Sequence, residues 1–166
     1  MIVAAAILAA ACLVCGPAFG LNWLSYRVLK TRIIRSRTWD LNVCCGRMDG
    51  GGVNTDIVAH ARLPRMVLAD PLHLPFRDKA FSSVLCSHAA EHMQDPGALL
   101  AELKRVGADV TLIVPPVWDL SVFFNVLEHR WIFLCFRKVY RNRLPRRIRL
   151  PMAAFFQKAV GQRIRA

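Results

Sequence analysis

Two stretches of this 166-residue chain are defined by what they lack. Met1 to Tyr26 carries no charged side chain, and His129 to Ala166 carries no acid. The chain also lacks internal repeats and low-complexity linkers, which excludes a repeat array and leaves one domain for this length. Its six cysteines make no disulfide framework. Cys12 and Cys15 are spaced C-x-x-C inside an apolar run, where a hydrated metal or redox site is out of place. Cys44, Cys45, Cys86 and Cys135 lie in apolar stretches and read as small buried side chains, free thiols in a reducing compartment.

The uncharged start is apolar enough to matter. Ile2 to Leu24 is long enough to cross a hydrocarbon core of ~30 Å at ~1.5 Å rise per residue. Trp23 and Tyr26 end it, and Arg27, Lys30, Arg32, Arg35 and Arg37 follow. Residues 1–26 are therefore expected to be a transmembrane anchor and 27–38 a basic juxtamembrane linker. The positive-inside rule places the rest on the cytoplasmic side of a single-pass membrane protein. Two alternatives stand beside this: a cleaved signal peptide, with Ala18-Phe19-Gly20 as a small-x-small site, and a buried core helix.

The net charge of +12 is localised. Arg27 to Glu128 holds 12 bases and 11 acids, whereas His129 to Ala166 holds 11 bases. Residues 119–166 form a basic segment interleaved with Trp131, Phe133, Phe136, Tyr140, Phe155 and Phe156. An anionic membrane surface is the favoured partner, ahead of a solvated basic face with a packed apolar back. Nucleic acid is not expected, because no nucleic-acid motif accompanies the charge.

Between these ends the pattern is α/β. Strands are expected at 39–44, 53–58, 66–69, 80–87 and 109–114, with a glycine-rich loop at 45–52. A helix is expected at 96–106, capped by Asp95 and opened by Pro96, with Leu99, Leu100, Leu103 and Val106 at helical spacing. Several strands are short continuous apolar runs, as in a mostly parallel sheet buried on both faces. Ligands of such sheets bind at the carboxyl ends of the strands, so the loops there are the candidate site.

Read in order, LNVCCG (41–46), GVNTDIV (52–58), ADPLHLPFRDKAFSSVLCSHAAEHMQDP (69–96), ALLAELKRV (98–106) and VTLIVPP (110–116) resemble the class I S-adenosylmethionine-dependent methyltransferases, in particular the methyltransferase type 11-like domain. The resemblance covers residues 39–118. It implies a Rossmann-like methyltransferase fold, here shortened, with S-adenosyl-L-methionine as cofactor. It maps the methionine-facing turn onto Cys44, Cys45 and Gly46, and the ribose-binding acid onto Asp56, with Ile57 beside it. The adenine-side acid maps onto Asp70, with Pro71 and Leu72. Ser87 and His88 fall where the methyl would leave, and Asn42 stands where the family often has a first-strand acid. Taken singly, Asp56 and Asp70 read equally as loop or turn carboxylates. Cys44 replaces a usual glycine, the first loop is too short for the usual helix, and the family's final antiparallel strands are not evident after Pro116.

One rival motif lies in the same stretch. His88-Ala89-Ala90-Glu91-His92 fits H-x-x-E-H, which on a helix would pair His88 and His92 on zinc with Glu91 as base. A third ligand is not apparent, and no metal is expected. The expectation is an S-adenosylmethionine-dependent methyltransferase acting at a membrane on an unidentified acceptor, a lipid, a quinone-like molecule or a membrane-bound protein, with His88 and His92 as candidate bases. The alternatives are a non-catalytic membrane-associated scaffold that keeps the fold and, behind it, a zinc hydrolase.

Overall fold

The computed structural model of the protein describes residues 16, 17, 19–119, 122, 125 and 128–160, the side chains of 154 and 157–160 excepted. Strands β1 (Trp39–Val43), β2 (Gly51–Asp56), β3 (Met66–Leu68), β4 (Phe81–Ser87) and β5 (Gly107–Ile113) are all parallel. β6 (Trp131–Phe133) and β8 (Arg147–Arg149) pair with each other, and β7 (Val139–Arg141) runs antiparallel to β5. The main sheet has the order β3-β2-β1-β4-β5-β7. The basic segment after Pro116 thus supplies an antiparallel edge strand and a separate two-stranded antiparallel sheet, which its sequence did not announce.

The central strands are buried because their apolar runs allow it. Val84 to Ser87 and Val110 to Ile113 are buried without a break. β4 and β5 are joined by helix α2 (Pro96–Val106), whose Leu99, Leu103 and Val106 face the sheet. Asp95 caps it as expected, accepting from Gly97 N at 2.7 Å.

The β1–β2 connection is unusual. A parallel pair ordinarily needs a crossover of about a dozen residues or more, yet residues 44–50 carry the chain from the end of one strand to the start of the next. No helix forms there. The return is possible because it lies almost on top of β1. A Cβ on Gly52 would sit 2.2 Å from the Trp39 carbonyl oxygen, and one on Gly50 would sit 2.6 Å from Asn42 Cβ. Buried amides hold the turn in place. Asn42 Nδ2 donates to Met48 O (2.8 Å) and Asn54 Oδ1 (3.1 Å), and Asn54 Oδ1 also accepts from Gly50 N (3.0 Å). Asn54 Nδ2 donates to Asp49 Oδ1 (2.8 Å) and Pro64 O (3.0 Å).

With no helix after β1, the second face of the sheet takes its cover from elsewhere. A π-helical segment, Leu24–Leu29, continues into helix α1 (Lys30–Ile34). Ile34 is buried with Trp39, Leu85 and Ile113, and Trp39 Nε1 donates to Ile34 O at 2.9 Å. Residues 30–34, expected in a juxtamembrane linker, therefore pack on the domain. Most of the expected span Ile2–Leu24, with Cys12 and Cys15, lies outside the described residues. Among the described residues no helix is long and apolar enough to cross a membrane, so the expected transmembrane helix gains no support.

The last positioning element is a staple. Arg105 donates to Glu102, Asp78 and the carbonyls of Leu74 and Phe76, while Glu102 accepts from Leu74 N at 2.7 Å. This fixes the long loop between β3 and β4 against α2. The Arg105 hydrogen bond holds the Glu102 carboxyl below its ordinary value, against the opposing effect of burial.

Two outcomes follow from these contacts. Gly52→Ala should lose about 3 kcal/mol in urea unfolding, because backbone rather than a movable side chain blocks the new methyl. Gly20→Ala, with nothing within 4 Å of its Cβ, should not be destabilised. Because the Glu102 value is depressed in the fold, its stabilisation is present above the unfolded carboxylate value and lost as pH falls through the folded one. Melting temperatures from pH 6 to pH 3 should therefore fall less steeply in Glu102→Gln than in the parent.

Candidate active site

A cleft of about 600 Å³ opens at the carboxyl ends of β1, β2 and β4. Its floor is the turn after β1. Cys44 and Gly46 both take left-handed backbone, with φ of 53° and 56°. At Cys44, where the family's glycine is replaced, this conformation costs roughly 1 kcal/mol. The Cys44 thiol is far above its ordinary value, through its hydrogen bond with Cys86 and then burial.

Asp56 clasps that turn from the end of β2. Its Oδ2 accepts from Gly46 N (2.9 Å) and its Oδ1 from Ile57 N (2.8 Å). Each oxygen keeps acceptor capacity toward the cleft, since an ionised carboxylate offers about four lone-pair sites. Ser87, at the end of β4, is buried in the same cleft, and its Oγ has no hydrogen-bond partner.

Cys44, Cys45, Gly46, Asp56, Ile57, Pro71, Ser87, His88 and His92 all line the cleft as the sequence suggested. Asn42, Asp70 and Leu72 do not. Asn42 lies beneath the turn as a structural donor to two oxygens, a task an aspartate could not perform. Asp70 is exposed, and its Oδ1 accepts from Leu72 N at 2.9 Å, so it caps its own loop.

His88, Glu91 and His92 do not sit on a helix. They occupy an irregular turn, and His88 takes a φ of 53°. The zinc-hydrolase geometry, with His88 and His92 one helical turn apart, is therefore absent. Instead Glu91 is fully buried, with His88 Nδ1 at 3.3 Å from its Oε1. His129, on which sequence reading had no view, reaches the same place from the other end of the domain. Arg130 N and Trp131 N both donate to Glu91 O (2.8 and 3.2 Å), which docks the start of β6 on this turn. His129 and His92 meet edge to face at 4.8 Å. Trp131 packs outside the cleft, donating from Nε1 to Met93 O at 3.0 Å, and Trp118 donates to Phe136 O.

Electrostatics sort this cluster. Burial pushes the Glu91 carboxyl up, but the neighbouring His88, with His92 and His129 behind it, outweighs burial and holds it at about 2. Burial pulls His129 down to about 4 and lowers His88 as well. At neutral pH a buried carboxylate is thus ringed by histidines of which at least His88 and His129 are uncharged.

The roof of the cleft is the segment ahead of the sheet: Asn22, Tyr26, Arg27, Lys30 and Thr31. Tyr26 meets the His88 ring at 5.4 Å, and Lys30 Nζ lies 4.2 Å from the Tyr26 ring centre. Ser25 anchors the roof. It is wholly buried and donates to Asp119, while accepting from Lys138. Lys138 Nζ lies 3.3 Å from Asp119 Oδ2. Burial pulls the Lys138 ammonium below the usual lysine range, and Asp119 works against it.

The strand order, the glycine turn and the acid ending β2 define a Rossmann-like methyltransferase fold with a mostly parallel sheet. Comparison agrees: the model of the family described as "Methyltransferase domain" matches residues 14–109, more than half of the chain, and the chain belongs to that family. Over 47 residues it is 47% identical to the uncharacterised protein YafS of Escherichia coli K12, a match covering 28% of this chain and 20% of that protein. Among solved structures it is similar to a SAM-dependent methyltransferase of Thermotoga maritima, with 13% identity, a TM-score of 0.47, and 69% of this chain and 65% of that one covered. It is also similar to a protein of Pyrococcus horikoshii OT3, with 17% identity, a TM-score of 0.48, and 85% and 81% covered.

The buried ion pair gives a test of the roof's anchorage. Lys138→Met, which removes the cation beside a buried carboxylate, should cost about 3 kcal/mol. Adding Asp119→Leu should restore a large part of that loss, measured by urea unfolding at pH 7.

Proposed function

We propose that the protein is an S-adenosylmethionine-dependent methyltransferase. The observation that carries this reading is Asp56: a carboxylate at the end of β2 that ties down the glycine turn and lines the same cleft as an unpartnered Ser87 hydroxyl. Those groups fit the cofactor. The Asp56 oxygens would accept from ribose hydroxyls, the turn at Cys44–Gly46 lets backbone approach the methionine part, and Ser87 offers a polar contact near it. When bound, the sulfonium supplies an already activated methyl group. The protein's own share is then alignment and the exclusion of water. The roof of Asn22, Tyr26 and Lys30 covers one side of the cleft. His88 and His92 stand at its acceptor end, where a neutral imidazole takes up a proton from an acceptor that must lose one.

The acceptor in this reading is met at a membrane surface. Phe19, Trp23, Phe136 and Phe155 are exposed, and Arg137, Arg141, Arg143, Arg146 and Arg149 are exposed on the same C-terminal segment as the last two. Aromatic side chains among arginines suit an anionic bilayer.

Calorimetry with S-adenosylmethionine on the full chain tests the first part. Asp56→Ala should weaken binding at least ~10-fold, the loss of about 1.4 kcal/mol or more expected for hydrogen bonds to a charged acceptor. Asp70→Ala, whose carboxylate faces solvent, should leave affinity unchanged. No binding by the folded parent would overturn the reading in favour of a scaffold that retains the fold. For the second part, co-sedimentation with vesicles containing phosphatidylserine should exceed that with phosphatidylcholine alone and fall with added salt. Equal, weak sedimentation with both would remove the membrane from the reading.

A further inference from the structure

The cleft's acceptor end contains more than a general base requires. Glu91, His92 and His129 each present a ligand atom, and these atoms all lie within 4.8 Å of one another. Two of the three residues are buried and the third is half-buried. Neither Glu91 oxygen receives a hydrogen bond, although both are buried. The same holds for His129 Nδ1. A buried carboxylate without hydrogen-bond donors is costly unless something cationic satisfies it. His88 Nδ1 lies 3.3 Å from Oε1 without completing a hydrogen bond to it, and Oε2 has no partner.

The remaining contacts are those of a ligand set. His92 Nδ1 lies 3.1 Å from the Glu128 carbonyl oxygen, which makes it the donor of that pair and leaves Nε2 as the nitrogen free to ligate. His88 Nδ1 lies beside Glu91 Oε1, where outer partners of metal ligands stand. Two backbone hydrogen bonds from Arg130 and Trp131 fix the approach of His129. All three residues line the cleft, so an ion there would keep open positions facing a bound substrate.

We infer that Glu91, His92 and His129 form a binding site for a divalent transition-metal ion, with zinc or ferrous iron as the chemical class. Two imidazoles and one carboxylate suit such ions better than magnesium, which prefers an all-oxygen shell. Ligand atoms around tetrahedral zinc lie roughly 3.3 Å apart, so metal binding draws the three side chains inward by about 1 Å. The ion would hold an oxygen of the methyl acceptor at its open position. That role rests on the methyl-transfer reading; the site itself does not.

Cobalt(II) is the probe. Tag-free full chain, stripped with a chelator, is titrated with cobalt and followed by visible absorption, then challenged with zinc. One equivalent should bind, give d–d bands without a thiolate charge-transfer band, and be displaced by zinc. His129→Gln and Glu91→Gln should each weaken cobalt binding at least tenfold. His60→Gln, which also lines the cleft but lies outside the cluster, should not. Circular dichroism establishes that each variant is folded, and if Glu91→Gln does not fold, His129→Gln decides. Absence of binding by the folded parent, undiminished binding in folded His129→Gln, or a charge-transfer band that moves the ion onto Cys44 and Cys45 would overturn the site. Calorimetry with S-adenosylmethionine on the stripped protein reads the methyl-transfer proposal separately, so the failure of one is not mistaken for the failure of the other.

Discussion

The fold depends on how closely the chain doubles back after its first strand. Seven residues, 44–50, do what a crossover helix does in a longer Rossmann-like domain. They manage it only because Gly50 and Gly52 let backbone lie against backbone. Two buried asparagines supply the hydrogen bonds that this contact leaves open, since every buried polar group must find a partner. The departure at Asn42 and the shortened first loop are therefore one adaptation. A donor is needed under the turn, and an aspartate there would meet two oxygens. The same economy leaves one face of the sheet without its usual cover, and α1 fills that place.

The site is assembled from three directions. The turns after β1, β2 and β4 supply the floor, in the way common to open α/β sheets. The antiparallel strand β6 brings His129 to Glu91 by two backbone hydrogen bonds. The segment around Ser25 closes the top and is held by a buried serine, lysine and aspartate. The floor is thus local to the parallel sheet, whereas the histidine cluster and the roof depend on contacts between residues more than 35 positions apart in sequence.

How much of this was legible follows from the physics of each element. β4, β5 and α2 were readable because burial on both faces demands an unbroken apolar run, and a packed helix repeats its leucines every three or four residues. The position of Asp56 was readable because an acid ending a second strand has a fixed place in such sheets. β6, β7 and β8 were not. Each has three residues, and in Arg147-Ile148-Arg149 the apolar side chain is the exposed one. Their pairing is set by neighbours, which a local pattern does not record. Asp70 lies outside the cleft lining, and one of its carboxylate oxygens caps its own loop, a contact that residue type alone does not announce. The signal for His129 was present in Glu128-His129-Arg130-Trp131, a lone histidine in an otherwise ambiguous run. Only the docking of β6 gives it meaning.

The roof has a consequence for where this domain begins. Asn22, Tyr26 and Lys30 precede the first strand, yet they form one wall of the cleft, and Ser25 is riveted to the core beneath them. The leading segment and the cleft are therefore the same piece of architecture. A shortened chain starting at Trp39 would keep the sheet but expose Leu85 and Ile113 and leave the chamber without a ceiling. Displacing the leading segment would therefore disturb Tyr26 against His88 and Ile34 against Trp39 together, so the wall of the cleft and the cover of the sheet shift as one.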